Sequence, residues 1–243
     1  MTRPATTGGG GAASGVHLTV REFYDKYAMG CRNFAGVDLN GENMRMMKLE
    51  GCNFDRADLL GADMSGMELT KCSFRGAQLS GKVAGSAMTS CDFSNGIFAE
   101  GSDFAGSTLT GCDFSNGTFA EGPNFVGSTL TKCNFSSCTF AEGPKFAGLA
   151  TLDQCDFSNS LLESGDLDFA GSTLTGCNFT GAFPAGRGRL FKDATMSGCT
   201  FDLAYMQDMQ RTVRAADLKE DGFTAGDLKA GGFTAGDLKA AGF

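Results

Sequence analysis

Cysteine recurs along most of this chain at nearly constant intervals. Nine cysteines follow one another at steps of 19 to 22 residues: Cys31, Cys52, Cys72, Cys91, Cys112, Cys133, Cys155, Cys177 and Cys199. A shorter period of five lies within each step, as in Ala62–Gly66, where a small residue, a polar residue, an apolar residue, a polar residue and Gly follow in order. Periods of about 20 residues are typical of solenoids, in which each coil can bury its apolar side only against its neighbours.

The five-residue pattern resembles that of the pentapeptide-repeat family, whose motif is written A(D/N)LxG. The resemblance covers about residues 32–208. It implies an all-β fold, a right-handed quadrilateral β-helix with four pentapeptides per coil and about eight coils here. The first and third residues of each five are expected to point inward. Coils are then expected to stack at the β-strand spacing of about 4.8 Å.

The two ends of the chain depart from this pattern, which divides it into four parts. We predict a flexible Gly-rich linker over residues 1–17, an N-terminal capping helix over 18–30, the β-helix over 31–210, and a decapeptide tail over 211–243. Thr19 and Glu22 have the spacing of a capping box. The tail repeats FTAGDLKAGG-like units, which predict short helical turns. Residues 184–189 break the pattern and are predicted to form an external loop.

Composition limits the classes of partner. The net charge of −8 argues against direct binding of nucleic acid and is compatible with a protein partner. The absence of an apolar stretch of about 18 residues predicts no transmembrane segment, although peripheral association with a membrane complex stays compatible. Cysteines that point into a narrow core are expected to be free thiols. This favours a reducing compartment, the cytoplasm, or the chloroplast if a transit peptide has been removed.

The sequence offers no set of residues for catalysis. His17 is the only histidine, so no Cys/His or Ser/His/Asp constellation can form. A linear column of cysteines lacks the four convergent ligands of a zinc site. The many glycines follow the coil period and do not form a phosphate-binding motif. We therefore expect no catalytic residues, no cofactor and no metal.

Outward residues that repeat with the coil are the candidate interaction surface. One group is a threonine array, with Thr151 and Thr195 in imperfect rungs; the other is an acidic column. The candidates are Thr108, Thr110, Thr129, Thr131, Thr173 and Thr175, with Glu100, Glu121 and Glu142. The alternative interpretation of the threonines is β propensity and cross-strand pairing. For the glutamates it is a copied repeat unit. Repeated Asp and Asn, as at Asp92 and Asp113, are the family's usual second residue.

These features predict a non-enzymatic structural or protein-interaction scaffold, a docking or stabilising subunit of a larger complex. The segment Tyr27–Phe34 resembles the opening of cyanobacterial pentapeptide proteins, which implies a photosynthetic or organellar complex. Two alternatives remain open. One is a DNA-mimic inhibitor of a type II topoisomerase, since some family members resemble a DNA rod. The other is an ice- or surface-binding protein that acts through the threonine array.

Overall fold

The fold is described by a computed structural model of part of the chain. It covers residues 15–120, 122–140, 146, 148, 150–162, 169–182, 191, 193–202, 206–207, 210, 215–220, 223–230 and 232–243. Most of the predicted linker over residues 1–17 and all of the predicted loop over 184–189 lie outside these residues.

Short parallel strands form the walls of a solenoid. In chain order they are β1 (Lys48–Glu50), β2 (Asp58–Leu60), β3 (Glu68–Thr70), β4 (Gln78–Ser80), β5 (Ala87–Thr89), β6 (Ile97–Phe98), β7 (Thr108–Thr110), β8 (Thr118–Phe119), β9 (Thr129–Thr131), β10 (Thr139–Phe140), β11 (Thr151–Asp153), β12 (Leu161–Leu162), β13 (Thr173–Thr175) and β14 (Thr195–Ser197). The even-numbered strands β2 to β12 form a six-stranded sheet. The odd-numbered strands and β14 form an eight-stranded sheet.

Each coil has four faces, which we number in chain order. The first carries single parallel bridges, such as Asp92↔Asp113, and the third carries others, such as Asp103↔Asn124. The second face is the six-stranded sheet and the fourth is the eight-stranded sheet. The predicted β-helix is confirmed. Within the described residues about six turns carry strands in both sheets, so the predicted count of about eight coils is slightly high.

Phenylalanine forms two long stacks in the core, on the first and third faces, and a shorter stack on the second face that consists of Phe98, Phe119 and Phe140. On the first face, rings one coil apart lie 4.7–5.5 Å apart between centroids and within 17° of parallel, from Phe34 to Phe201. Rings on the third face, such as Phe125, meet the first stack edge-on, at 87° to Phe135. Edge-to-face contact places the positive ring edge against the negative ring face. The two stacks therefore interlock across the interior.

Corners of the coil require unusual backbone angles, and one coil is a residue short. Gly81 closes that coil at φ +131°, and a Cβ there would lie 2.7 Å from the carbonyl oxygen of Ala62. Other corners accept side chains at positive φ, as at Lys71 and Asn116. Residues with side chains can therefore adopt the left-handed backbone conformation at most corners, whereas the corner of the short coil needs glycine.

A helix covers the first coil. Helix α1 (Val20–Ala28) begins with the predicted capping box of Thr19 and Glu22. Its buried Phe23 lies 4.5 Å from Phe34 between ring centroids. Backbone bonds also join residues 16–18 to Asp38, at 3.0 and 3.1 Å. The capping helix is confirmed, and together with residues 16–18 it covers strand edges that would otherwise be open.

Among the described residues after the last coil, three short helices have complete bounds: α2 (Ala215–Glu220), α3 (Ala225–Ala230) and α4 (Ala235–Ala240). Their core residues are buried and five positions apart: Leu218, Phe223, Leu228 and Phe233. Phe223 packs on the solenoid, 5.4 Å from Phe201 between centroids.

The array also keeps a turn of about 20 residues. Lys219 Nζ donates to the carbonyl oxygen of Gly242 at 2.5 Å, and Gln210 Nε2 donates to that of Gly232 at 2.8 Å. The predicted helical turns are confirmed. The five-residue spacing of the core and the coil length therefore continue after the strands end.

Candidate interaction surface

The fourth face presents two columns of outward side chains. In each strand the middle residue, such as Leu109 or Leu130, is fully buried, and its two neighbours point outward. Strand register fixes the columns. The first column reads Thr108↔Thr129↔Thr151↔Thr173↔Thr195, and the second reads Thr110↔Thr131↔Asp153↔Thr175↔Ser197.

The structure brings together all six threonines named from the sequence. It also adds Thr151 and Thr195, which the sequence marked only as imperfect rungs. Parallel register places Thr151 opposite Thr129 whatever the identity of Asp153. The first column is therefore unbroken over five coils, and only the second is interrupted.

The threonine part of the face is flat and nearly free of charge. One of its edges is a corner column of glycines, including Gly106 and Gly127, which have no side chain to rise above the sheet. Among the described residues from β7 to β14, the charged side chains in or beside the columns are Lys132, Asp153 and Asp193, the last of which takes the glycine corner in the final coil. The earlier rungs differ, since Lys48 and Glu68 form an exposed ion pair of 2.7 Å. Rungs β7 to β14 therefore form a distinct surface, which we call the threonine surface.

The acidic column cannot be assembled from the described residues. Glu100 lies exposed at the corner that follows β6. Glu121 and Glu142 lie outside the residues that the structure describes. The column thus remains a prediction from the sequence.

The Asp and Asn column of the first face is occupied within the coil. Asp92 Oδ1 accepts a hydrogen bond from the backbone N–H of Ser94 at 2.9 Å, and Asp113 does the same with Ser115 at 2.9 Å. Asn178 Nδ2 donates to Asp156 Oδ1 of the previous coil at 3.1 Å. These contacts support the structural interpretation of this column, because each carboxylate orders the turn that follows it.

The cysteines also form a column, on the inner side of the first face. All ten are free thiols, and those from Cys52 onward are buried. Cys31 stands outside the column, because it precedes its phenylalanine by three residues where the others precede theirs by two. Hydrogen bonds from neighbouring thiols, together with burial, raise the pKa of Cys91. Cys138 lies on another face, and burial raises its pKa to about 12.

The described residues contain no cluster of three or more His, Cys, Asp or Glu side chains that could hold a metal ion. His17 lies 3.3 Å from Asp38 and 3.9 Å from Glu42, next to the backbone bridge that joins His17 to Asp38. An open groove at the corner of the first and second faces is lined by charges of both signs, including Asp55, Arg56 and Arg75.

Comparison with known proteins identifies the repeat. The family model for pentapeptide repeats matches residues 48–81, which lie in coils whose inward positions hold small and apolar residues. This chain is a pentapeptide-repeat protein. Its structure is similar to that of HetL, a pentapeptide repeat protein involved in heterocyst differentiation regulation from the cyanobacterium Nostoc sp. strain PCC 7120. The two are 24% identical, the match covers 77% of this chain and 81% of HetL, and the TM-score is 0.53.

A second solved structure is that of QnrB1, a plasmid-mediated fluoroquinolone resistance protein. It is 21% identical to this pentapeptide-repeat protein, with 81% and 97% of the two chains covered and a TM-score of 0.36. A search of curated proteins found no match. Across the described part of this pentapeptide-repeat protein, no helix has the length and hydropathy needed to cross a membrane.

Proposed function

We propose that this pentapeptide-repeat protein is a non-enzymatic scaffold that binds a protein partner through its threonine surface, as a docking or stabilising subunit of a larger assembly. The observation that carries the proposal is the unbroken column of five outward threonines at a fixed spacing of one coil. A rigid repeating face suits recognition of an extended partner, because its side chains need little ordering on binding.

The distribution of charge supports this choice of face. Residues 83–182 contain eleven Asp and Glu but only two Lys and Arg. A partner that approaches these coils meets acidic side chains at Asp92, Glu100 and Asp103, and an uncharged surface at the threonines. Burying uncharged threonines avoids the desolvation penalty of buried charge. Nearby acids are expected to steer a basic partner toward the face.

The proposal is tested with two sets of substitutions and one control. Thr110→Lys with Thr131→Lys places charge on the threonine surface. Glu100→Lys with Glu121→Lys and Glu142→Lys reverses the acidic column. The control, Ser115→Lys with Ser136→Lys, places the same charge one coil apart at the same repeat position of the first face.

Each variant is used to capture partners from the source organism, with mass spectrometry as the readout. We expect the threonine pair to abolish capture of a partner that the wild-type chain and the serine control retain. The glutamate set is expected to weaken capture and to flatten its dependence on salt. Equal capture by all variants would exclude the solenoid faces as the binding site.

Ice or another ordered surface is a second candidate, favoured by the spacing of the columns. Threonines within a column are separated by about 4.8 Å, and the two columns by about 6.6 Å, twice the strand rise. Binding to a lattice predicts inhibition of ice growth by the purified chain alone, lost in Thr110→Lys with Thr131→Lys. If the purified chain does not alter ice growth while partner capture persists, this candidate is excluded.

A further inference from the structure

Eight thiols form one continuous buried column inside the solenoid. They are the first residues of the pentapeptides on the first face: Cys52, Cys72, Cys91, Cys112, Cys133, Cys155, Cys177 and Cys199, none more than 7% exposed. Backbone bonds tie each coil to the next at this position, with the N–H of Asp113 donating to Cys91 at 2.9 Å. Neighbouring cysteines are therefore one strand spacing apart, about 4.8 Å.

The thiols of successive coils occupy the same repeat position in register, because the first-face bridges Asp92↔Asp113 and Asp113↔Asn134 join the residues that follow Cys91, Cys112 and Cys133. Each S–H also faces a backbone carbonyl, as Cys133 Sγ does with Leu109 at 3.5 Å. The column is thus a row of buried thiols, one per coil, with successive members about one strand spacing apart.

This row suits a metal ion that takes two ligands in a line. Two metal–sulfur bonds of about 2.3 Å, the length of a zinc–thiolate bond, span about 4.6 Å when they are collinear. That span is close to the about 4.8 Å between stacked strands. Tetrahedral zinc does not fit, because the described residues bring no third ligand to any pair of thiols.

The net charge of the ion with its two thiolates then decides which soft ions fit the column. The column lies against the phenylalanine stack, where uncompensated charge is costly. Two thiolates with a monovalent ion leave one negative charge, whereas two thiolates with a divalent ion are neutral. We propose that the thiol column is a binding site for soft divalent cations of linear two-coordinate geometry, with Hg(II) as the probe. Each ion bridges a pair of adjacent coils: Cys52–Cys72, Cys91–Cys112, Cys133–Cys155 and Cys177–Cys199.

Binding involves no redox change. Two S–H bonds break, two metal–sulfur bonds form, and two protons leave to solvent. Four ions therefore release eight protons per chain. Affinity must fall as pH falls, since protons compete with the metal for sulfur.

The test begins with a full-length background that carries Cys31→Ser and Cys138→Ser, which removes the thiols outside the column. Native mass spectrometry during titration with Hg(II) should find four ions per chain. Circular dichroism should be unchanged, and the thermal midpoint should rise because the ion binds the folded state. Loss of the β signal on binding, or a lowered midpoint, would show that mercury reaches the thiols by unfolding the coils and would overturn the proposal.

Two further variants, each with four thiols in the column, test whether binding requires thiols in adjacent coils or only a given number of thiols. One replaces Cys72, Cys112, Cys155 and Cys199 with Ala, which leaves four thiols two coils apart. The other replaces Cys52, Cys72, Cys177 and Cys199 with Ala, which leaves four adjacent thiols. We expect two ions bound through two sulfurs in the adjacent variant and none in the separated one, read by metal stoichiometry and X-ray absorption. Equal two-sulfur binding in both variants would refute the assignment of coil-to-coil pairs.

Discussion

Phe114 lies face to face with Phe135, with ring centroids 4.8 Å apart and planes that differ by 3°. Aromatic pairs usually prefer offset or edge-on contact. Here the stack follows from the backbone, because the strands of successive coils are about 4.8 Å apart and their side chains are in register. The core geometry is therefore imposed by the coil pitch, and every ring contacts the rings above and below.

Removal of a ring from the middle of this stack should be costly. Phe114→Ala is expected to lower the free energy of unfolding by about 3–5 kcal/mol, because the cavity cannot collapse between two fixed coils. Phe243→Ala, where the ring is 39% exposed, should cost far less. Denaturant titration measures both, and equal losses would contradict the described register.

The short coil should tolerate substitution poorly. Gly81→Ala places a Cβ 2.7 Å from the Ala62 carbonyl oxygen at φ +131°, so the backbone must shift and stability should fall measurably. Gly111→Asn is the matched control, since its corner is open and the same corner holds Lys71 and Lys132 at positive φ. The control should change the thermal midpoint little. A larger loss in the control than in Gly81→Ala would show that crowding does not limit the short coil.

Cys31 should react with thiol reagents faster than the other nine cysteines. Cys31 is half-buried and should react rapidly in the native state, whereas denaturation should expose all ten thiols. If denatured protein yields almost no free thiol, the cysteines are oxidised and the column is not a thiol column.

Alkaline pH should destabilise the fold. Burial raises the pKa of Cys138 to about 12, so the folded state keeps a proton that the unfolded state loses above about pH 8.5. The stability from this group is full below that pH and declines up to about pH 12. Cys138→Ala should therefore reduce the slope of stability against pH in that window. An unchanged slope would mean that this thiol is not protected by burial.

The N-terminal cap should protect the first coil. Phe23→Ala removes the ring that packs on Phe34 and Phe54, and solenoid coils interact mainly with their neighbours. Hydrogen exchange should accelerate in residues 33–50 and change little near Phe135. Uniform acceleration along the chain would indicate that the solenoid opens as a single unit.

The sequence predicted the coil because each core position repeats independently of its context. It placed Cys31 in the cysteine series on spacing alone, but Arg32 takes the corresponding place beside the helix, with its guanidinium 3.9 Å from the Tyr27 ring. Neither Tyr27 nor Arg32 occupies a position of the repeat pattern that predicts this contact. From the sequence, the rung of Thr151 was interpreted as imperfect because the same strand carries Asp153. Strand register treats the two columns separately, and register is a property of the folded sheet.

The helical tail shows a further limit. Its capping boxes were readable, because Thr234 and Asp237 are only three residues apart. The bond from Lys219 to Gly242 was not, because it joins successive turns of the array. Local signals predict helices, whereas the path of the chain depends on contacts between distant residues.

Because the tail keeps the coil length, the number of its decapeptides determines the side of the solenoid axis on which the last helix lies. One decapeptide is about half of a 20-residue turn, so consecutive helices lie on opposite sides of the axis and alternate helices share a side. Duplication or loss of a single decapeptide would move the last helix to the other side while each core position kept its place. A second duplication would restore the original side. Changes of length in this tail therefore act in steps of ten residues, and odd and even steps produce two different outer surfaces on one unchanged interior.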